Sequence, residues 1–470
     1  MTEQKTFNTK KKLNKTVRLV ALEIWILVFY KNKKFDDIIK KSFDFNKLDK
    51  RDKSFLFLLI NTCMRRHNQA QKIYNKYSRF GIKKKNRYLN SILVIATIQL
   101  IWLEIAPYAV LNEAVNQAKI YIGDKQSKLV NAILRKIVSN KNDCLNFIPE
   151  DKYNLPEWLL KSWTSSYGEK NVNEIAKIAM EPPPLDIVIS NKMRESELEQ
   201  FQLNISGEKI LPNVIRCNFK ESVESLPGFS DGVWWIQDAA SQIPCNLLLS
   251  KIKQHFSQSI DSIKVVDMCC APGGKTAQLL DNKLDVVSIE KNKLRSHKFK
   301  ENMKRLNFNP NLINAKAEDY LPNFKPDVIL IDAPCSATGT IRKNPDIFIK
   351  PAPINLDDLI LTQDNILNNA SKILKKNGLI MYVTCSLQKI EGERRIEKFL
   401  KKNQSFSIVP FFSTDYPMIS DCITKEGFIR ILPNYFNFNS DDVMNGSDGF
   451  FIALVKICLL YTSDAADDSL

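Results

Sequence analysis

Apolar positions recur at helical spacing over residues 17–30, 52–66, 89–105 and 109–121, with few glycines or prolines and no strict alternation. That pattern predicts an all-helical first part. Within it, "APYAVLNEAVNQAKIYIGDKQSKLVNAILRKI" carries its own punctuation: Pro107 opens a helix, Gly123 ends it, and a second amphipathic helix follows. From about 150 to 235 the pattern changes. "YNLPEWLLKSWTSSYG" reads as a short helical segment, "EPPPLDIVIS" as a proline-blocked stretch turning into a strand, and "LPGFSDGVWWIQDAASQI" as a run into a helix. Beyond 260, the strand-like runs "IKVVDMC", "LDVVSIE", "NLINAKA", "DVILIDA", "LIMYVTC" and "GFFIALVKI" mostly alternate with helical stretches. Such alternation predicts a mostly parallel, doubly wound sheet covered on both faces. The expected organisation is a helical bundle over 1–145, a small α/β connector over 146–235 and an α/β domain over 236–457. Residues 458–470, "CLLYTSDAADDSL", show no apolar period and are expected to stand outside the fold.

A chain of 470 residues accommodates two or three domains, which fits this division. Its longest apolar runs are interrupted by Glu23 or Gln99 and fall short of the roughly 20 residues needed to span a bilayer. No cleavage site follows the first of them, so no signal peptide is read, and a cytoplasmic monomer without membrane contact is expected. Charge changes the picture more. Residues 1–100 hold 24 Lys/Arg and 7 Asp/Glu, a net of +17, whereas the remaining 370 hold 44 and 45, a net of −1. A compositional bias of the whole genome would spread lysine evenly. The localised excess points instead to an electropositive module that engages nucleic acid.

Ten cysteines without CxxC spacing argue against a disulfide framework or a zinc ribbon, and His67, His255 and His297 are too dispersed for a metal site. Most of these cysteines are expected to be small buried residues. Two are placed differently. "PDVILIDAPCSATGT" sets Cys335 just beyond a strand that ends in Asp332, and "GLIMYVTCSLQ" sets Cys385 at the end of another, between Thr384 and Ser386. Neither has a histidine nearby.

The first strand of the α/β region runs into a glycine turn and a helix, "VVDMCCAPGGKTAQLL". Gly273 and Gly274 permit a tight turn with close approach to a ligand, and the helix start presents free N–H groups. Glu290 closes the next strand, where an acid can accept both hydroxyls of a ribose. "GGKT" also suggests a phosphate-binding P-loop. That motif requires glycine five residues before Gly274, and Cys269 stands there, which argues against an NTPase.

Together, "DMCCAPGGKT", "DAPCSATGTIRKNPD" and "VTCSLQKIEGE" resemble the RNA 5-methylcytosine methyltransferases of the Sun class. The stretch from Pro107 to Arg135 and the basic segment before it resemble the NusB family of helical RNA-binding domains. Both likenesses narrow the resemblance to the bacterial ribosomal small-subunit RNA methyltransferase B (RsmB/Sun) family, over roughly residues 10–457. The resemblance implies an S-adenosylmethionine loop at Cys269, Cys270, Ala271, Pro272, Gly273, Gly274 and Lys275, a ribose acid at Glu290, and Asp332 as an acid serving both cofactor and base. It further implies Cys385 as nucleophile and Cys335 as the second cysteine. "NAKAEDY" departs from the family, placing Lys316 or Ala317 where an aspartate near the adenine is usual, with Glu318 and Asp319 just after.

The chemistry of that family explains two cysteines without a histidine. Carbon 5 of cytosine is a poor nucleophile until a thiolate adds at carbon 6, after which it attacks a sulfonium methyl; the carbon 5 proton must then leave so that the thiolate can be expelled. Cys385 would add, Asp332 would hydrogen-bond the base, and Cys335 would assist release. Lys275, Arg342 and Lys343 are the candidates for lowering a thiol pKa. The target cytosine in small-subunit ribosomal RNA, free or in an assembling particle, has to leave its stack. A reading from another class is a catalytically silent NusB-like RNA-binding protein.

Overall fold

The computed structural model describes residues 15–79, 81–83, 85–219, 222–351, 356–436 and 444–458. Of the stretch expected to stand outside the fold, Cys458 donates its N–H to the Ser405 carbonyl at 2.6 Å, and 459–470 lie outside the described residues. The chain forms two compact units, Met1–Lys161 with Asn344–Ala352, and Ser162–Lys343 with Pro353–Leu470.

The first unit is helical. Its principal helices are Val17–Lys31, Lys50–Lys76, Arg87–Ile101, Pro107–Ile122 and Asp124–Ser139. The Thr16 side chain accepts from Leu19 N at the first start, and Asp49 accepts from Asp52 N at the second, satisfying amides that have no intrahelical partner. Pro107 occupies the first turn of its helix and Gly123 ends it with φ +88°. Arg87–Ile101 is buried from Leu89 to Ile101, an all-round apolar helix at the centre of the bundle. Gln99 sits inside this core because its amide donates to the Ile95 carbonyl and its oxygen accepts from Arg18 Nε at 2.6 Å. The segment Asn344–Ala352 belongs to this unit. Its short helix Pro345–Ile349 packs against Lys50–Lys76, and Trp158 donates to the Lys350 carbonyl at 3.2 Å. Among the described residues, no helix is long and apolar enough to cross a membrane.

The second unit carries two sheets. β1 (Leu185–Ile189), β2 (Glu208–Leu211), β3 (Val214–Cys217) and β4 (Trp234–Ile236) form an antiparallel sheet in the order β2-β3-β1-β4. Its strongest polar feature is the buried pair Arg216–Asp186, two parallel bonds of 2.6 and 2.8 Å. The larger sheet contains β5 (Lys264–Met268), β6 (Asp285–Ile289), β7 (Asn311–Ile313), β8 (Val328–Asp332), β9 (Leu379–Thr384), β10 (Phe406–Ile408), β11 (Ile429–Ile431) and β12 (Phe450–Ile457). Its order is β10-β12-β9-β8-β5-β6-β7, with β11 also on β12. β5 to β9 are parallel and β12 is antiparallel to β9. Leu379, Met381 and Val383 pack in one apolar layer with the helix Ala239–His255, and Ile380 and Tyr382 pack in the other with Leu356–Ile373. Burial on both faces is why these strands read as continuous apolar runs rather than alternating ones. The chain lays β6 and β7 on one side of β5 and β8 and β9 on the other, so a crevice opens at the carboxyl ends of β5 and β8.

Candidate active site

The crevice holds a cavity of about 290 Å³ lined from the carboxyl ends of five parallel strands: Cys269, Glu290, Ala315, Asp332 and Cys385 follow or close β5, β6, β7, β8 and β9. Cys335 also lines it. After β5 the backbone takes a positive φ at Cys269 (65°) and again at Gly273 (113°) before the helix Gly274–Asp281 begins. Gly273 is confined as well as bent: an added Cβ would lie 2.7 Å from Met303 Cε.

The loop residues do not share one role. Cys269 faces the cavity, whereas Cys270 and Ala271 are buried in a core layer with Ala277, Phe299 and Met303. The Ala271 carbonyl accepts from Arg295, and the Pro272 carbonyl accepts from Asn302 Nδ2 at 2.8 Å. Lys275 turns inward to Asp332, with Nζ 2.8 Å from Oδ2. Burial is the largest single influence and pulls the lysine pKa down, but the charge and hydrogen bond of Asp332, with Cys245 and Cys385, together raise it above its ordinary value and leave the ammonium stabilised. Behind them Asp267 is fully buried and accepts from Thr276 Oγ1 at 2.5 Å; burial pushes its carboxyl up to about 7.

Glu290 is 3% exposed. Its Oε1 accepts from Asn292 N at 2.8 Å, while Oε2 has no hydrogen-bond partner among the described residues, although Arg295 Nη1 stands 3.3 Å away as an ion-pair partner. A buried carboxylate oxygen left open at a cavity wall fits a ligand that donates hydrogen bonds there, as ribose hydroxyls do. Of the four residues in the departing stretch, Ala317 and Glu318 line the cavity, whereas Lys316 and Asp319 pair with each other on the surface at 3.9 Å.

Cys335 and Cys385 meet with their sulfurs 3.5 Å apart. The Cys335 thiol is held well above its ordinary pKa, first by its hydrogen bond to Cys385 and then by burial, so it retains its proton and can donate toward the Cys385 sulfur. Of Lys275, Arg342 and Lys343, it is Lys275, paired with Asp332, whose charge reaches Cys385. Lys343 is instead engaged by Asp238 (2.5 Å) and Asp448 (3.0 Å), and Arg342 donates to the carbonyls of Glu181, Pro182 and Asn445. The turn Thr338–Thr340 itself stays against the Cys385 backbone, with Gly339 N donating to the Cys385 carbonyl at 2.9 Å, but the two side chains beyond it are held by these other partners.

Sequence reasoning missed Glu391, whose carboxylate binds Ser336 and Ser386, the residues that follow the two cysteines. The signal was present in "TCSLQKIEGE", an acid six residues after Cys385, but nothing local says that it folds back.

Residues 258–456 match the family model described as 16S rRNA methyltransferase RsmB/F, and residues 15–139 match the NusB family. A probable ribosomal RNA small subunit methyltransferase B of Coxiella burnetii is 30% identical over 381 residues, covering 77% of this chain and 86% of the relative. One from Synechocystis sp. is 27% identical over 443 residues, covering 90% and 95%. Among solved structures, PH0851 superposes with a TM-score of 0.67 at 20% identity, covering 95% of this chain and 99% of that one. NSun6 from Pyrococcus horikoshii, solved with SFG, gives 0.53 at 19%, covering 65% and 99%.

Proposed function

We propose that this chain, which belongs to the ribosomal RNA small subunit methyltransferase B family, transfers a methyl group to carbon 5 of a cytosine in 16S ribosomal RNA through a thiolate adduct at carbon 6. The observation that carries this reading is the pair of thiols 3.5 Å apart, opening on the cavity that Asp332 and Glu290 line. S-adenosylmethionine, when bound, supplies an electrophilic methyl on a sulfonium centre. Glu290 would hold its ribose through the open Oε2, with Cys269, Ala317 and Glu318 as neighbouring wall.

Cys385 adds to carbon 6 as the thiolate, and the sulfur must shed its proton first. The retained proton of Cys335 steadies that thiolate by hydrogen bonding. Asp332, oriented by Lys275, presents a carboxylate to the nitrogen edge of the base, where the adduct gains N–H character. Once carbon 5 has taken the methyl group and Cys385 is bound as a thioether, Cys335 no longer faces a thiolate. It gives up its own proton to water, takes the carbon 5 proton as a thiolate, and the ring expels Cys385 as a thiolate.

The three sequence segments divide the work in this reading. Residues 1–145, with the whole charge excess, hold RNA phosphates; 146–235 connect; 236–457 perform the transfer. The test is bisulfite sequencing of 16S ribosomal RNA with and without the gene, together with transfer of labelled methyl by the purified chain. One cytosine protected only when the gene is present supports the reading. RNA binding with no methyl transfer would leave a silent binding module.

A further inference from the structure

Glu391 lies at the end of the short turn Lys389–Glu391 and is wholly buried. Its two oxygens take four donors. Oε2 accepts from Ser336 Oγ and Ser386 Oγ, each at 2.5 Å, and Oε1 accepts from Ser336 N at 2.9 Å and Gln363 Nε2 at 3.1 Å. Ser336 and Ser386 are the immediate neighbours of Cys335 and Cys385, so one carboxylate grips both cysteine loops at the residue next to the sulfur. Gln363 widens the grip, since the same amide nitrogen also donates to the Pro334 carbonyl at 2.9 Å. Arg430 donates to the Ser386 carbonyl at 2.6 Å and supplies opposite charge near Glu391.

Fixing the backbone amide and hydroxyl of Ser336 together with the hydroxyl of Ser386 fixes the directions in which the preceding Cys335 and Cys385 side chains leave the backbone. We propose that Glu391 is the positioning residue that holds the two thiols at contact distance. It touches neither base nor cofactor and acts through Ser336 and Ser386. A carboxylate is required because only it offers two acceptor oxygens; a glutamine would turn an N–H toward at least one of these donors. The kinetic part of this proposal rests on the methyltransferase reading above, but the geometric part does not.

The test uses the full chain and a thiol-specific diazene oxidant, diamide. Cys335 and Cys385 give up two electrons and two protons as the S–S bond forms, and the diazene is reduced to the hydrazine. Mass spectrometry of digests follows the Cys335–Cys385 cross-link. The expected result is ready cross-linking in the wild type and a rate on the order of tenfold lower in Glu391→Gln, since a displacement of about 1 Å is enough to cost that much. The kcat for methyl transfer should fall by a similar factor, with KM for RNA and Kd for S-adenosylmethionine unchanged. Ser336→Ala removes one of the four bonds and should slow both rates less; it decides the matter if Glu391→Gln fails to fold. Wild-type cross-linking and kcat in a folded Glu391→Gln, or in Ser336→Ala when it alone folds, would overturn the proposal. So would a wild-type chain whose two thiols do not cross-link. A chain that cross-links as described but methylates no RNA overturns the methyltransferase reading and leaves the positioning role standing.

Discussion

Lys275 and Asp332, 57 positions apart in the chain, meet as an ion pair of 2.8 Å between the helix after β5 and the end of β8. The lysine side chain is 7% exposed and the aspartate 30%, so the pair is unequal: the acid keeps access to solvent and the base does not. Removing either partner therefore has a different cost.

Asp332→Ala leaves a buried ammonium without its counter-charge and should destabilise the chain by roughly 3 kcal/mol, visible as a lower urea midpoint. Lys275→Met leaves a carboxylate that water can reach, so the midpoint should move far less. Its methyl transfer should nonetheless fall by about 100-fold, because Asp332 loses the group that aims it. Equal loss of stability in the two variants would contradict this asymmetry.

Substitution of the two thiols should separate their roles. Cys385→Ser should abolish methylation while cofactor binding survives, since an alcohol is a far weaker nucleophile than a thiolate. Cys335→Ala should permit attack and methyl transfer but slow release, accumulating a covalent RNA complex seen as a slow band on a denaturing gel. The band should vanish in Cys335→Ala/Cys385→Ser. A trapped adduct in Cys385→Ala, and none in Cys335→Ala, would reverse the assignment.

Glu290→Gln keeps an acceptor for the Asn292 amide but removes the charge behind the open Oε2. Titration calorimetry should show S-adenosylmethionine binding weakened by about 1.5–3 kcal/mol, the range for hydrogen bonds to a charged acceptor. Unchanged affinity would move the ribose contact elsewhere.

Stability should depend on pH through Asp267. Burial raises its carboxyl from 3.8 to about 7, so between those values the folded chain keeps a proton that the unfolded chain has lost. Stability from this group therefore falls as pH rises from 3.8 to about 7 and is flat above. Asp448, also raised to about 7, by burial and then by Asp238, adds a slope of the same sign. Urea midpoints at about pH 5 and about pH 8 should differ less in Asp267→Asn than in the wild type. Identical differences would remove Asp267 from the account.

Much of this was legible in the sequence where the signal is local. The apolar runs ending in Asp332 and Thr384 are strands because both faces of the sheet are covered, and the two cysteines come together because β8 and β9 are parallel neighbours. Pairings set by the fold were not legible. β10 and β11 lie outside the runs that read as strands, and each pairs along β12, which offers it an edge. Arg342 and Lys343 are candidates for the thiols in the sequence, but the buried acids Asp238 and Asp448, from opposite ends of the α/β region, hold Lys343. Glu391 reaches Ser336 across 55 positions, and no local pattern announces that contact.

Gly339 N donates to the Cys385 carbonyl at 2.9 Å, and its own carbonyl accepts from Gly449 N at 2.8 Å. An added Cβ at Gly339 would overlap the Gly449 carbonyl, so the three backbones close on one another. Directly after Gly449, β12 pairs with the strand that ends beside Cys385. Synthesis delivers these pieces in order, Cys335 first, then Cys385, then Gly449 and its strand. A nascent chain stopped before Gly449 carries both thiols but not the backbone clasp or the strand that backs β9, and domains complete as units during translation. The reactive pair thus depends on a stretch of chain that follows Cys385 by 64 positions.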